Sequence, residues 1–174
     1  VQVEEGQHLL EDAQGEKIEA FWEEAKLRAM LNPVPVVFGP NAGDSLRPPA
    51  WAFGTSAEEA DLAVQLILQG KKTATAAAAW DYELAGTDLP QVGAMGIVLD
   101  GVGDPRALVV TTQVRVVRFD EVDAEHVRAE GEGDGAVSSW KRTRRREFVD
   151  QAVHGRDFAE DMPVVLERFR VLFP

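Results

Sequence analysis

The 174-residue sequence has no cysteine and only three histidines, His8, His126 and His154, scattered along the chain. Disulfides, thiol nucleophiles and the usual zinc clusters are thereby removed, and a metal would have to be held by carboxylates. No cofactor is expected. No apolar run reaches the roughly 18 residues of a membrane-spanning helix. The acidic start VQVEEGQHLL lacks a signal-like apolar stretch, so a cytoplasmic chain without a membrane partner is expected. Basic residues are also sparse: 18 Lys and Arg stand against 30 Asp and Glu, a formal charge of −12. That charge repels polyanions over most of the surface and disfavours broad non-specific nucleic-acid binding, leaving room only for a local basic site. What is present is 45% hydrophobic residues, enough at this length for one compact domain with a real core.

Periodicity divides the chain into a helical arm and a denser core. In EKIEAFWEEAKLRAML, Ile18, Phe21, Trp22, Ala25 and Ala29 recur at three- and four-residue spacing, an amphipathic helix stopped at Asn32-Pro33. Five prolines and two glycines between Asn32 and Ala50 make a long irregular connection. Residues 1–50 therefore read as a helix and a Pro-rich connection packed on a core of residues 51–174. Ser56 and Glu59 have capping-box spacing ahead of a helix that Gly70 ends. TATAAAAW is ambiguous, whereas MGIVLD, RALVVTTQVRVVRF and VVLERFRVLF are rich in β-branched residues and read as strands, with DGVGDP as a turn. Strands that follow one another without intervening helices predict an α+β fold with a small, mostly antiparallel sheet or barrel.

The stretch QGKKTATAAAAW raises the question of phosphate binding. A Walker loop needs G-x-x-x-x-G-K-[ST] between a strand and a helix, but Gln65 stands at the first glycine position and Lys72 follows Lys71. The helix also precedes the motif. Lys72, Thr73 and Thr75 are therefore not expected to hold a nucleoside triphosphate.

A second stretch is AEGEGDGAVSSWKRTRRREFVDQAV. Glu130, Glu132 and Asp134 alternate with glycines, so an extended backbone would turn all three carboxylates to one side, an arrangement suited to acid–base work or a hard cation. The plainer alternative is that these acids precede a helix from about Val137 and favour its positive N-terminal end. On that helix Val137, Trp140, Phe148 and Ala152 form an apolar stripe interrupted by Arg144. A buried guanidinium needs an anionic partner, either a carboxylate of the acidic loop or a substrate. Arg142 and Arg146 read as a solvated face.

Several short segments together resemble the ASCH domain, a small β-barrel fold similar to the RNA-binding PUA domain, in its bacterial stand-alone branch. They are AFG at Ala52, GKKTAT at Gly70, LPQVG at Leu89, VLDGVGDP at Val98, EGEGD at Glu130, Trp140 and the closing DMPVVLERFRVLF, spread in order over Glu16 to Pro174. Two positions depart from the family pattern: Gly93-Ala94 stands for Gly-Asp, and Arg144 for the histidine four residues after the tryptophan.

The resemblance implies a PUA-like fold with a pocket at the barrel mouth and a nucleoside or RNA as partner. Similar small members are amidohydrolases of N4-acetylcytidine, and others are ribonucleases or RNA-binding modules. Matched position by position, the implied catalytic residues are Lys72, Thr75 and Glu130, with Thr73, Glu132, Asp134, Trp140, Arg144 and Arg145 around the substrate. A lysine drawn partly out of water could take the proton of the Thr75 hydroxyl, which attacks the amide carbonyl while Glu130 serves the leaving amine. Strict strand alternation would send Lys72 and Thr75 to opposite faces, so this scheme needs a turn or bulge at Thr73. Three classes stand side by side: a modified-nucleoside hydrolase, an RNA-binding or RNA-cleaving protein using the arginine cluster, and a non-catalytic nucleotide- or anion-binding module.

Overall fold

The computed structural model describes residues 2–29, 47–152 and 155–174, with side chains from residue 12 onward. The expected helix stop at Asn32-Pro33 and most of the Pro-rich connection lie outside the described residues. The fold is α+β, with a five-stranded sheet in the order β1-β3-β4-β5-β2: β1 (Ala50–Ala52), β2 (Ala74–Ala78), β3 (Met95–Leu99), β4 (Pro105–Arg118) and β5 (Pro163–Phe173). Among the described residues five α-helices accompany it: α1 (Gln2–Arg28), α2 (Ala57–Leu68), α3 (Ala79–Ala85), α4 (Ala124–Glu130) and α5 (Val137–Asp150). The described residues form two compact units, one drawn from 2–29, 47–68, 95–109 and 171–174, the other from 69–94, 110–152 and 155–170.

In the first unit, Ile18, Trp22 and Ala25 on α1 bury against Ile97, Leu99 and Leu108. Phe21 packs on Phe173 with ring centroids 5.4 Å apart. The amphipathic spacing of α1 thus has its expected partner, an apolar sheet face. β1 runs parallel to β3, with Ala50 opposite Ile97. A side chain at Gly96 would collide with the Trp51 ring, its Cβ 2.0 Å from the indole. Ser56 Oγ accepts from the Glu59 amide at 3.2 Å, and the Glu59 carboxylate takes the Thr55 amide at 2.6 Å, so the capping signature does start α2. In the β3–β4 turn, Asp100 accepts the amides of Val102 and Asp104.

In the second unit, β2 pairs antiparallel with β5 in the register Ala74 to Arg168, Thr75 to Glu167 and Ala76 to Leu166. Ala74, Ala76 and Ala78 are buried while Thr75 and Ala77 are half-exposed. Ala76, Ala78, Val164 and Leu166 share a core with Val127 of α4 and Trp140 of α5. Phe119 is at its centre, stacked on Trp140 at 5.6 Å and meeting Phe158 edge-on at 5.0 Å.

One open reading is resolved in this unit and one expectation is corrected. The alanine run does not continue as strand: α3 begins at Ala79, because alanine tolerates both states and carries no β-branched preference. Nor is the backbone extended from Glu130 to Asp134. Glu130 is the last residue of α4, and Gly131 ends that helix with φ +70°. Gly133 and Gly135 also have positive φ, so the glycines fold the acids into turns instead of aligning them.

Candidate functional site

The site is built within the second unit from the segment before β2, the end of α4 and the middle of α5. The Thr73 amide donates to the Ala129 carbonyl at 2.7 Å and the Thr73 carbonyl accepts from the Phe169 amide at 2.9 Å. These bonds tie Lys72 beside α4. Gly131 completes the join: a Cβ there would lie 2.3 Å from the Lys71 carbonyl oxygen, an approach that only glycine permits.

The charged side chains converge around that join. Lys72 is fully buried and its Nζ lies 2.6 Å from Glu132 Oε1. Glu130, also fully buried, meets His126 Nε2 through Oε1 at 3.0 Å and Arg144 Nη2 through Oε2. Arg144, 16% exposed, also reaches Glu147 at 2.7 Å and Glu132 at 3.5 Å. Burial alone would raise the Glu130 carboxyl. The His126 hydrogen bond, the charge and hydrogen bond of Arg144 and the charge of Lys72 outweigh it and hold the carboxyl at about 2. For Arg144, burial opposes the charged form, but the Glu130 charge foremost, then Glu147, leaves the guanidinium held above its ordinary range. A charge taken out of water without such partners would cost several kcal/mol, by the order of magnitude for buried ions.

The remaining expected site residues lie elsewhere. Thr75 points with Glu167 to the side of β2 opposite Ala74 and Ala76, so the structure brings Lys72 and Glu130 together and leaves Thr75 on the other face. Asp134 accepts from the Ala136 amide at 2.9 Å and from Ser139 Oγ at 2.8 Å, and so fastens the start of α5. Trp140 is in the core, stacked on Phe119. Arg145 pairs with Glu160 at 3.1 Å and lies over the Phe158 ring at 4.8 Å. Thr73 lines an open depression with Thr112, Gln113 and Arg168.

Beside the charged cluster is a cavity of about 130 Å³ lined by Ala76, Ala77, Ala78, Asp81, Arg144 and Gln151, among others. Asp81 Oδ1 is buried without a hydrogen-bond partner, which calls for a donor from a ligand or water. The sequence reading missed Asp81, His126 and Glu147. Two carried a local signal: His126 is four residues before Glu130, and Glu147 three after Arg144, spacings at which helix side chains meet. No group of three or more His, Cys, Asp or Glu among the described residues is arranged to hold a metal ion, and no helix there is long and apolar enough to cross a membrane.

The same arrangement of strands and helices recurs in known structures. The crystal structure of an ASCH domain from Lactobacillus crispatus JV V101 matches with TM-score 0.71 and 27% identity, over 87% of this chain and 96% of that one. A protein of Enterococcus faecalis V583 matches with TM-score 0.77 and 29% identity, over 90% of this chain and 88% of that one. No curated protein matches the chain. The ASCH domain model matches residues 49–173, and the chain belongs to the ASCH domain family.

Proposed function

We propose that the chain binds a nucleoside-type ligand in the cavity beside Arg144, and that its activity is hydrolysis of an amide on a modified nucleoside of the N4-acetylcytidine type. The observation that carries the binding reading is the unpartnered Asp81 carboxylate oxygen in the same cavity as the Arg144 guanidinium and Gln151. A nucleobase edge offers an N–H donor next to a carbonyl acceptor, the complement of a carboxylate next to a guanidinium. The cavity is smaller than the ~300–1,000 Å³ of sites that engulf drug-sized ligands, so it suits one ring and not a stretch of polymer. Glu130, Glu132 and Glu147 fix Arg144 from three sides, which holds its donors in place before a ligand arrives.

The hydrolase part of the reading draws on Lys72, buried beside Glu130 and Glu132. A lysine held there can reach a reacting group once Glu132, 42% exposed, swings aside. An RNA-binding reading draws on Arg142 and Arg146, which are exposed on α5. The −12 charge opposes it.

Calorimetric titration with cytidine, uridine and N4-acetylcytidine, alongside chromatographic detection of released cytidine, tests the proposal. Micromolar binding of a cytidine that Asp81→Asn and Arg144→Gln each weaken at least tenfold is expected. Absence of nucleoside binding by the unmodified protein would sink it.

A further inference from the structure

At the end of β2 away from the Arg144 cavity is an open depression of about 470 Å³. β5 contributes Arg168, the direct cross-strand partner of Ala74, while β4 contributes Thr112 and Gln113, α4 contributes Glu125, and Thr73 borders it ahead of β2. Thr111 bonds Glu167, so Thr112, the next residue along β4, turns to the face of Arg168. Arg168 is only half satisfied there. Its Nη2 lies 3.1 Å from Glu125 Oε1, whereas its Nε is buried with no hydrogen-bond partner among the described residues. Nε and Nη2 are the two donors on one edge of the guanidinium, the edge that grips an oxyanion in bidentate fashion. Glu125 uses one of them and leaves the other, a buried donor, without an acceptor, a mismatch that native interiors rarely carry without a cause. The Glu125 side chain is 82% exposed against 22% for Arg168, and an ion pair open to water on that side is readily exchanged for another anion.

Neutral donors surround that edge. Thr112 and Gln113 are exposed and offer a hydroxyl and an amide N–H. Thr73 Oγ reaches the Ala129 carbonyl only at 3.4 Å, long for a hydroxyl, so it is free to turn toward a ligand. A bidentate edge flanked by donors from two further strand segments suits three terminal oxygens arranged as a tetrahedron better than the two of a planar carboxylate. We propose that this depression is a second binding site, for the terminal phosphate of a small phosphomonoester. The phosphate displaces Glu125 and takes both donors of the Arg168 edge. A polymer of phosphates meets the repulsion of the −12 charge along its whole length, whereas a single phosphate group does so once. The site lies beyond the nucleoside reading and does not depend on it.

The full chain is titrated with inorganic phosphate by calorimetry at fixed ionic strength. The same titration is followed through the arginine Nε–H resonances of isotope-labelled protein, that of Arg168 being assigned from Arg168→Lys. Saturable binding at millimolar phosphate or below, moving the Arg168 resonance, is expected. Arg168→Gln should weaken it at least about tenfold, the scale of a lost charge-assisted hydrogen bond, and Arg168→Lys should restore only part, since an ammonium has no fork. Glu125→Gln should strengthen it about threefold at unchanged melting temperature, the scale of an exposed ion pair. Should Arg168→Gln fail to fold, Glu125→Gln and Thr112→Val, both at exposed positions, decide the matter, the second by weakening phosphate binding. No saturable binding, a shift confined to the Arg144 resonance, or a Glu125→Gln protein that binds phosphate no more tightly overturns the site. Glycerol phosphate and a hexauridylate lacking terminal phosphates separate the sources. Competition by glycerol phosphate is expected, and competition by the hexauridylate alone overturns the monoester assignment. Phosphate binding in a chain that fails to bind cytidine leaves this site standing, so the two readings fail separately.

Discussion

Arg144 in the middle of α5 and Glu130 at the last position of α4 meet as an ion pair, Glu130 fully buried and Arg144 nearly so. Arg144→Ala would leave the carboxylate with His126 and Lys72 but without its bidentate-capable partner. Removing one member of a buried pair costs about 3–5 kcal/mol, and a loss of that size is expected in urea unfolding. Arg144→Lys should restore part of it, since an ammonium cannot reproduce the fork that reaches Glu130 and Glu147 together. An alanine variant of unchanged stability would contradict this picture.

Stability should also depend on acid through Glu130. Its carboxyl titrates at about 2 in the folded chain against 4.5 when unperturbed. A group depressed on folding contributes fully above its unfolded value and loses that contribution as pH falls through its folded one. The unfolding free energy should therefore decline between about pH 4.5 and pH 2. Glu130→Gln, measured over the same range, should show a shallower slope and a lower plateau near neutrality.

Gly131 offers a backbone test. Alanine there must adopt φ +70° and place its Cβ 2.3 Å from the Lys71 carbonyl oxygen. Strain of this kind costs about 1–3 kcal/mol, and the displaced segment carries Lys72. Gly131→Ala should lower the melting temperature and weaken nucleoside binding together, while Gly70→Ala, whose Cβ meets nothing within 4 Å, should cost only the strain of its positive φ.

The exposed arginines can be tested by salt. Binding of a short single-stranded RNA should weaken with a log–log slope of about 0.7 for each phosphate neutralised. Arg142→Ala with Arg146→Ala should lower that slope and leave cytidine binding as it was, because neither side chain lines the Asp81 cavity. A cytidine affinity that fell with theirs would join the two surfaces into one site.

The parts of the fold legible in the sequence were those with a strong period or a strong propensity. β3, β4 and β5 follow their β-branched runs, and α1 follows its stripe. The ASCH resemblance rests on motifs that occur together, and the matched residues 49–173 agree with it. Arg144 announced a carboxylate partner by interrupting an apolar stripe, an argument from the cost of burying charge. The alanines of β2 and α3 gave no such signal, since nothing local separates Ala78 in the strand from Ala79 in the helix. Glu130 was misplaced because alternating glycines look extended, yet each adopts a positive φ that ends or turns the backbone. Glu167 could not be found beside Thr75 at all: a cross-strand neighbour 92 positions away depends on register, which is fixed by long-range pairing and the core face it buries.

The alanines of β2 carry a consequence for how such a site diversifies. Ala76, Ala77 and Ala78 line the cavity, so its room comes from short side chains and not from the shape of larger residues. Every substitution of such a wall other than glycine narrows it. Relatives that differ at these three positions would form a graded series of apertures, with this chain at the wide end.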